Sequence, residues 1–321
     1  MSLSSGYNFH DNVDLNQSSD TINILAGNYS GLVLRFSGTQ SGATPPTEAD
    51  FGSIRFQYNG KQHMLWNLSE LGIYNNYKYG ARESVASVND TDPFSYQYFL
   101  PFVHHTDFFS SFKIENDQIA KLLWLPGASL ASRVSASSFM RVLGVRRDGP
   151  TSYLLGSNRI DSQMAMGNSR PEPITPYSTN EIFLEYNTNI DNIQIDVDGD
   201  PVITGMEIIE LTNEGFRKNR VETYPTLTGQ YAMATIADVD LTQPDTLIPT
   251  LNNQISVKLL GSSAATISMF WTYFEYKAGL MAKSTANYRR NVDEEIAKKA
   301  QQSGVPISVI SALKEVNKRG L

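Results

Sequence analysis

Between residues 20 and 276 apolar and polar residues alternate in short runs broken by turn residues. Clear examples are INILAG (22–27), GLVLRFSG (31–38), IRFQYNG (54–60) and SFMRVLGV (138–145). Further along come EIFLEY (181–186), NIQIDVDG (192–199), QISVKLLG (254–261) and TISMFWTYFEY (266–276). A period of two is what a half-buried strand requires, because successive side chains point to opposite faces of the sheet. Asn59-Gly60 and Asp198-Gly199 end two of these runs, and such pairs tolerate the positive φ of the tight turns that match strand twist. No helical period of convincing length precedes residue 280. The pattern predicts an all-β body.

Two phrases in that body recur. SIRFQYNGK (53–61) returns as NIQIDVDGD (192–200), which places Gly60 and Gly199 139 residues apart. NDQIAKLL (116–123) returns as NNQISVKLL (252–260), and aligning Ile119 with Ile255 gives an offset of 136 with one extra residue before Lys258. Two phrases in the same order at nearly equal offsets predict a duplication of whole barrels or sandwiches, since solenoids and propellers repeat over 20–50 residues. The boundaries that follow are a 1–17 arm, a first β domain at 18–148, a linker at 149–178 and a second β domain at 179–277. The linker is set by Pro171, Pro173 and Pro176, and the Tyr-rich stretch 74–99 reads as a long surface loop. Asn59, Gly60, Asp198 and Gly199 become equivalent hairpin turns.

Residues 278–321 differ in kind. Glu294 and Glu295 stand four residues before Lys298 and Lys299, as helical pairing favours. Pro306 suits a first turn, and Val309, Ile310, Leu313 and Val316 form one apolar stripe. A short helical hairpin is expected. Charge sharpens the contrast. The chain's net charge is −7, but Lys277–Leu321 holds nine basic and four acidic residues. An acidic body with a basic tail points that tail at something anionic, such as lipid headgroups or nucleic acid. The basic residues within the tail are Lys283, Arg289, Arg290, Lys298, Lys299, Lys314, Lys318 and Arg319.

Candidate chemistry is sparse. Cysteine is absent, so neither disulfides nor thiolate metal sites contribute. His10, His63, His104 and His105 have no ligating spacing, and the adjacent pair would face opposite sides of a strand. Ser311–Lys314 (SALK) matches an acyl-enzyme motif without its companions. No enzyme activity, cofactor or metal is expected. Asp196, Asp198 and Asp200 would share one side of a hairpin, which calls for either a calcium ion or solvent, and solvent is the plainer reading. Leu123, Trp124 and Leu125 fit core or a subunit contact. AQQSGVPISVISAL (300–313) has helix-turn-helix spacing, yet its second helix offers no Arg to base edges, so sequence-specific nucleic acid is not an expected partner. The first twenty residues have neither a basic start nor an apolar segment and do not read as an export signal.

INILAGNYSGLVLRFSG (22–38), then IRFQYNGK (54–61), then LSEL (68–71) resemble, in this order, the first barrel of a known family. The likeness is carried by Gly27, Tyr29 and the run Leu34-Arg35-Phe36-Ser37-Gly38; the strand running into Asp198-Gly199 resembles the second barrel. The family is the double-jelly-roll major capsid proteins of tailless icosahedral phages with an internal membrane, the corticovirus type. That resemblance implies two tandem eight-stranded jelly rolls with the helical hairpin appended. It also implies a homotrimer whose six barrels outline a near-hexagon. Other capsid trimers, minor capsid and vertex proteins and the internal lipid membrane become expected partners, in a virion assembled in the host cytoplasm. The loop 74–99 and the residues after Tyr276 depart from the family pattern. The alternative is a β-sandwich receptor- or carbohydrate-binding protein with a partner- or DNA-binding helical hairpin.

Overall fold

The computed structural model describes residues 6–42, 44–79, 84–85, 92–104, 110–149, 153–164, 172–174, 178–186, 190–197, 200–207, 230–234, 255–261 and 265–276. The chain forms two compact units, Met1–Glu275 and Tyr276–Leu321, and the second lies outside the described residues beyond its first. The expected helical hairpin and all eight basic tail residues fall there.

The first unit begins with β1 (Tyr7–Asp14), β2 (Asp20–Ile24), β3 (Gly27–Thr39), β4 (Ser53–Tyr58) and β5 (Lys61–Asn67). Then come α1 (Leu68–Tyr79), β6 (Ser84–Val85), β7 (Pro93–Pro101), β8 (Phe112–Ile114), β9 (Ala120–Leu125), α2 (Leu130–Arg133) and β10 (Phe139–Arg146). It continues with β11 (Tyr153–Met164), β12 (Glu172–Ile174), β13 (Ser178–Tyr186) and β14 (Ile190–Val197). β15 (Asp200–Glu207), β16 (Gln230–Ala234), β17 (Ile255–Gly261) and β18 (Ala265–Tyr276) complete it.

Four antiparallel sheets result. The first runs β1-β10-β3-β7-β6 with β8 also on β3, and the second β2-β9-β4-β5. The other two run β11-β18-β13-β16 and β12-β17-β14-β15. With the short β6 and β8 set aside, each half has eight strands among the described residues. In both halves the sheets join the strands by rank in the same way: first-eighth-third-sixth and second-seventh-fourth-fifth. That is the jelly-roll order, in which two sheets sandwich one core. The chain contains two tandem jelly rolls.

The repeated hairpin shows how the sequence builds this. Ile54, Phe56 and Tyr58 of β4 point inward against Trp124, Leu122 and Ala120 of β9. Asn59 (φ 51°) and Gly60 (φ 79°) both take left-handed backbone, as a two-residue hairpin turn requires. Asn59 also donates its N–H to Ile119 O (2.8 Å), and its Oδ1 accepts from Ile119 N (3.2 Å). Each such hairpin then has a bulge at the same step. Gln57 pairs Gln62 and Phe56 pairs Met64, leaving His63 extra; Asp196 pairs Pro201 and Ile195 pairs Ile203, leaving Val202 extra. Asp198 and Gly199 lie outside the described residues, between β14 and β15. The first roll's core is heavily aromatic: Phe36 lies 4.5 Å from Phe51, and Trp124 Nε1 donates to Phe51 O at 2.8 Å.

Four expectations need correction. Residues 1–17 are not a free arm, because 7–14 form β1, paired along β10 with Val13 and Leu15 in the core. The segment 149–178 is not a linker, because β11 and β12 supply the first and second strands of the second roll. Residues 74–99 are not a loop; they hold the second half of α1 and most of β7. A helix does precede residue 280. α1 starts where Glu70 Oε2 accepts from Asn67 N (3.1 Å), half of a capping box, and it buries Leu68, Leu71, Ile73, Tyr74 and Asn75. Its aromatic and amide residues hide the helical period because they face protein on several sides. Asn75 exchanges two hydrogen bonds with the backbone of Phe99, 2.8 and 2.6 Å, and so occupies part of β7's open edge.

Candidate functional site

The histidines do not converge. His10 is the extra residue of a bulge in β1, its Nδ1 accepting from Leu25 N at 3.2 Å and its ring edge-on to Tyr29. Burial pushes its pKa down to about 4. His104 is buried and its N–H donates to Tyr153 Oη (3.2 Å), while His105 and Ser311–Lys314 lie outside the described residues. Trp124 is core and Leu125 is partly exposed. Asp196 and Asp200 stand on β14 and β15, with Asp198 outside the described residues.

An extended polar constellation among the described residues is the seam where β5, α1 and the strand end at Phe102–His104 meet β11 and β18. β5 is the outer strand of its sheet and has unpaired backbone groups to satisfy. Ser157 on β11 meets that need, since its hydroxyl both accepts from Leu65 N and donates to Leu65 O, each at 3.2 Å. Leu155 N donates to Phe102 O at 2.8 Å. The bulge turns His63 toward the second roll, where His63 O accepts from Tyr273 Oη (2.9 Å) and Nδ1 meets Glu275 Oε2. Lys61 Nζ reaches the other Glu275 oxygen, and His63 Nε2 faces Tyr58 O at 3.2 Å. Burial opposes ionisation of Glu275, but hydrogen bonds and charge from His63 and Lys61 outweigh it and hold its pKa below the ordinary carboxylate value.

At the helix end of the seam Glu70, 1% exposed, pairs with Arg159 Nε at 3.1 Å. Arg159 also reaches Asp161 (2.7 Å), which accepts from Ser268 Oγ (2.6 Å). Between the two polar ends lies an apolar middle. Trp66 sits edge-on to Phe270 at 5.5 Å, and Leu154 and Phe270 join the first roll's own core cluster. Gly156 is required here, because a Cβ would come 2.3 Å from the Tyr273 ring. No reactive pair or ligand cradle is built by these groups. What the seam does is fix two barrels side by side.

Motif reasoning reaches His63 only as a histidine without ligating spacing and Glu70 only within LSEL, and it gives neither a place in a seam. The available signal is Glu275, the one charged residue in the run TISMFWTYFEY.

No protein-family model matches the chain, and no curated protein matches it in sequence. Solved structures match it along most of its length. The major capsid protein P2 from Bacteriophage PM2 superposes with a TM-score of 0.62 at 10% identity, covering 85% of this chain and 98% of that one. The STIV MCP, from Sulfolobus Turreted Icosahedral Virus, gives 0.66 at 13% identity over 85% and 97%. The PBCV-1 virus capsid gives 0.61 at 8% identity over 85% and 93%. The fold is the double jelly roll. At such identities the likeness is one of architecture, and it coincides with the rank order of strands described above. The double jelly roll also explains why there is such a seam: two rolls on one chain need a fixed mutual placement.

Proposed function

We propose that this chain is a major capsid protein whose homotrimers tile an icosahedral shell around an internal membrane. One observation carries the reading: two jelly rolls of identical strand rank, with a hairpin bulge at the same step, are held beside each other by a buried seam. Three such chains bring together six near-alike barrels, and six near-alike barrels outline a near-hexagon that can tile a surface. The named neighbours are capsid proteins, which supports the role.

In this reading the partners are two further copies, neighbouring trimers, minor capsid and vertex proteins, and the virion membrane. The chain assembles in the host cytoplasm. The basic tail faces inward, and each of its eight lysines and arginines adds about 1 kcal/mol of attraction near an anionic lipid surface.

Sizing with light scattering tests the reading. A stable species of three times 35.7 kDa is expected at micromolar concentration. A monomer that binds glycans would overturn it in favour of a receptor- or carbohydrate-binding sandwich.

A further inference from the structure

One row on the first roll's surface gathers cations without anions. Arg141 on β10 pairs in register with Arg35 on β3, and the row runs on to Asn12 of β1 and Gln97 of β7. Met140, Val142, Leu34 and Phe36, the neighbours of the two arginines along their strands, are buried, so both arginines face outward. Arg35, Asn12 and Gln97 are exposed and Arg141 is half-buried. Residues directly opposite on antiparallel strands have Cβ atoms about 4.5–5.5 Å apart, and like charges placed so destabilise a sheet. The isolated chain carries that cost.

Nothing on the same sheet neutralises the pair. Among the described residues neither arginine has an ion pair; Arg141 Nε donates to Asn12 Oδ1 (3.3 Å) and its guanidinium lies 5.6 Å from the Phe139 ring. The carboxylates of β1 are taken up by local backbone. Asp11 accepts from Asn12 N at 2.8 Å, and Asp14 accepts from Asn16 N at 2.9 Å. Arg133 and Arg159, by contrast, are met by Asp50 at 2.7 Å and Glu70 at 3.1 Å.

We infer that this row seats carboxylates of a second copy of the same chain within the trimer. The inference rests on the capsid reading and supplies a contact which that reading leaves open. Charge complementarity names the occupant. The chain's 33 acidic and 26 basic residues, less the four and nine that follow residue 276, leave 29 and 17 in the body. A second body is therefore rich in the groups this row lacks. A guanidinium fork takes a carboxylate through two parallel N–H···O bonds, and the amides of Asn12 and Gln97 extend the row with further donors. The two rolls of one chain already meet through such pairs, Lys61 with Glu275 and Arg159 with Glu70. Rolls of different chains meeting at Arg35 and Arg141 would repeat that chemistry.

Charge reversal and a zero-length linker test it. In Arg35→Glu/Arg141→Glu the trimer's dissociation concentration, read by analytical ultracentrifugation at physiological salt, is expected to rise on the order of a hundredfold, with an unchanged circular dichroism spectrum. Arg55→Glu, at another exposed arginine on β4 of the other sheet, leaves it unchanged. If the double reversal does not fold, Arg35→Gln serves instead. It removes the like-charge contact, so it is expected to fold as well as the natural protein while the trimer weakens about tenfold. Arg35→Lys treated with a carbodiimide, which joins an amine to a carboxylate with loss of water, is expected to give covalent dimers. In a mixture of isotope-labelled and unlabelled protein, the linked peptides join position 35 of one chain to an Asp or Glu of another. A folded variant that dissociates at the natural protein's concentration would overturn the seat, as would linking of position 35 only within its own chain. Both results leave the capsid reading standing. A natural protein that is monomeric would remove both.

Discussion

Single residues at the seam act because they are buried and hold partners on both rolls. Glu70 is almost wholly enclosed, and Arg159 is its cation. Arg159→Ala takes the guanidinium away from an enclosed carboxylate that keeps its Asn67 hydrogen bond, and is expected to lower stability by about 1–3 kcal/mol, read as a shift in urea midpoint. Glu70→Gln, which keeps a hydrogen-bond acceptor while Arg159 keeps Asp161, should cost less. His10 adds a pH dependence in the first roll. Its pKa falls from 6.5 to about 4 on folding, so between those values the unfolded chain binds more protons. Stability therefore drops as pH falls from 6.5 to 4 and stops responding to this residue below 4. Discounted for partial exposure, the loss is about 1–2 kcal/mol. Urea midpoints at pH 7 and 4.5 should move closer together in His10→Asn than in the natural protein.

At the level of elements, legibility followed burial pattern. The alternating runs at 54–58 and 139–145 fall on strands with one face in a core, and those at 181–186, 192–197, 255–261 and 266–276 fall on strands too. β1 escaped because, of its eight residues, Val13 alone is fully buried while Tyr7 and Phe9 face outward and His10 breaks the period with a bulge. α1 escaped because it is enclosed on more than one side. The second repeated phrase was right about strand and wrong about register. Ala120 pairs Tyr58 as Ile255 pairs Val197, so Ile255 corresponds to Ala120, one residue beyond the Ile119 chosen by letter matching. Ile119 is in fact exposed, and a slip of one residue exchanges the faces of a strand. Letters cannot settle that step, since strand phrases share composition while only pairing fixes phase. The seam was illegible for a related reason: its partners sit some 90 to 210 residues apart, with no local motif to join them. The β1 correction makes a prediction. Deleting residues 1–17 would leave an arm-bearing protein unchanged. Here it strips the edge of β10 and takes Val13 and Leu15 out of the core, and burial of each is worth about 1.5–3 kcal/mol. Loss of about 3 kcal/mol or more, or failure to fold, is expected in chemical denaturation.

For the molecule as a whole, the question is whether two rolls behave as one body, since a tile transmits load only if its halves do not pivot. The seam answers with an apolar middle between two ionic ends, and the parts fail under different conditions. Trp66 and Phe270 supply the middle, and Trp66→Ala removes a fully buried ring at a cost of about 3–5 kcal/mol. Because that ring touches both rolls, its loss is expected to split a single calorimetric transition into two. The Glu275 end responds to acid. Its pKa is lower folded than its ordinary 4.5, so its contribution is complete above 4.5 and disappears as pH falls through the folded value. Glu275→Gln should mimic that loss at neutral pH and leave the two rolls' separate melting points in place. If the natural protein and Glu275→Gln lose coupling at the same pH, the carboxylate is not what fastens that end. If acid separates the two transitions in the natural protein alone, it is.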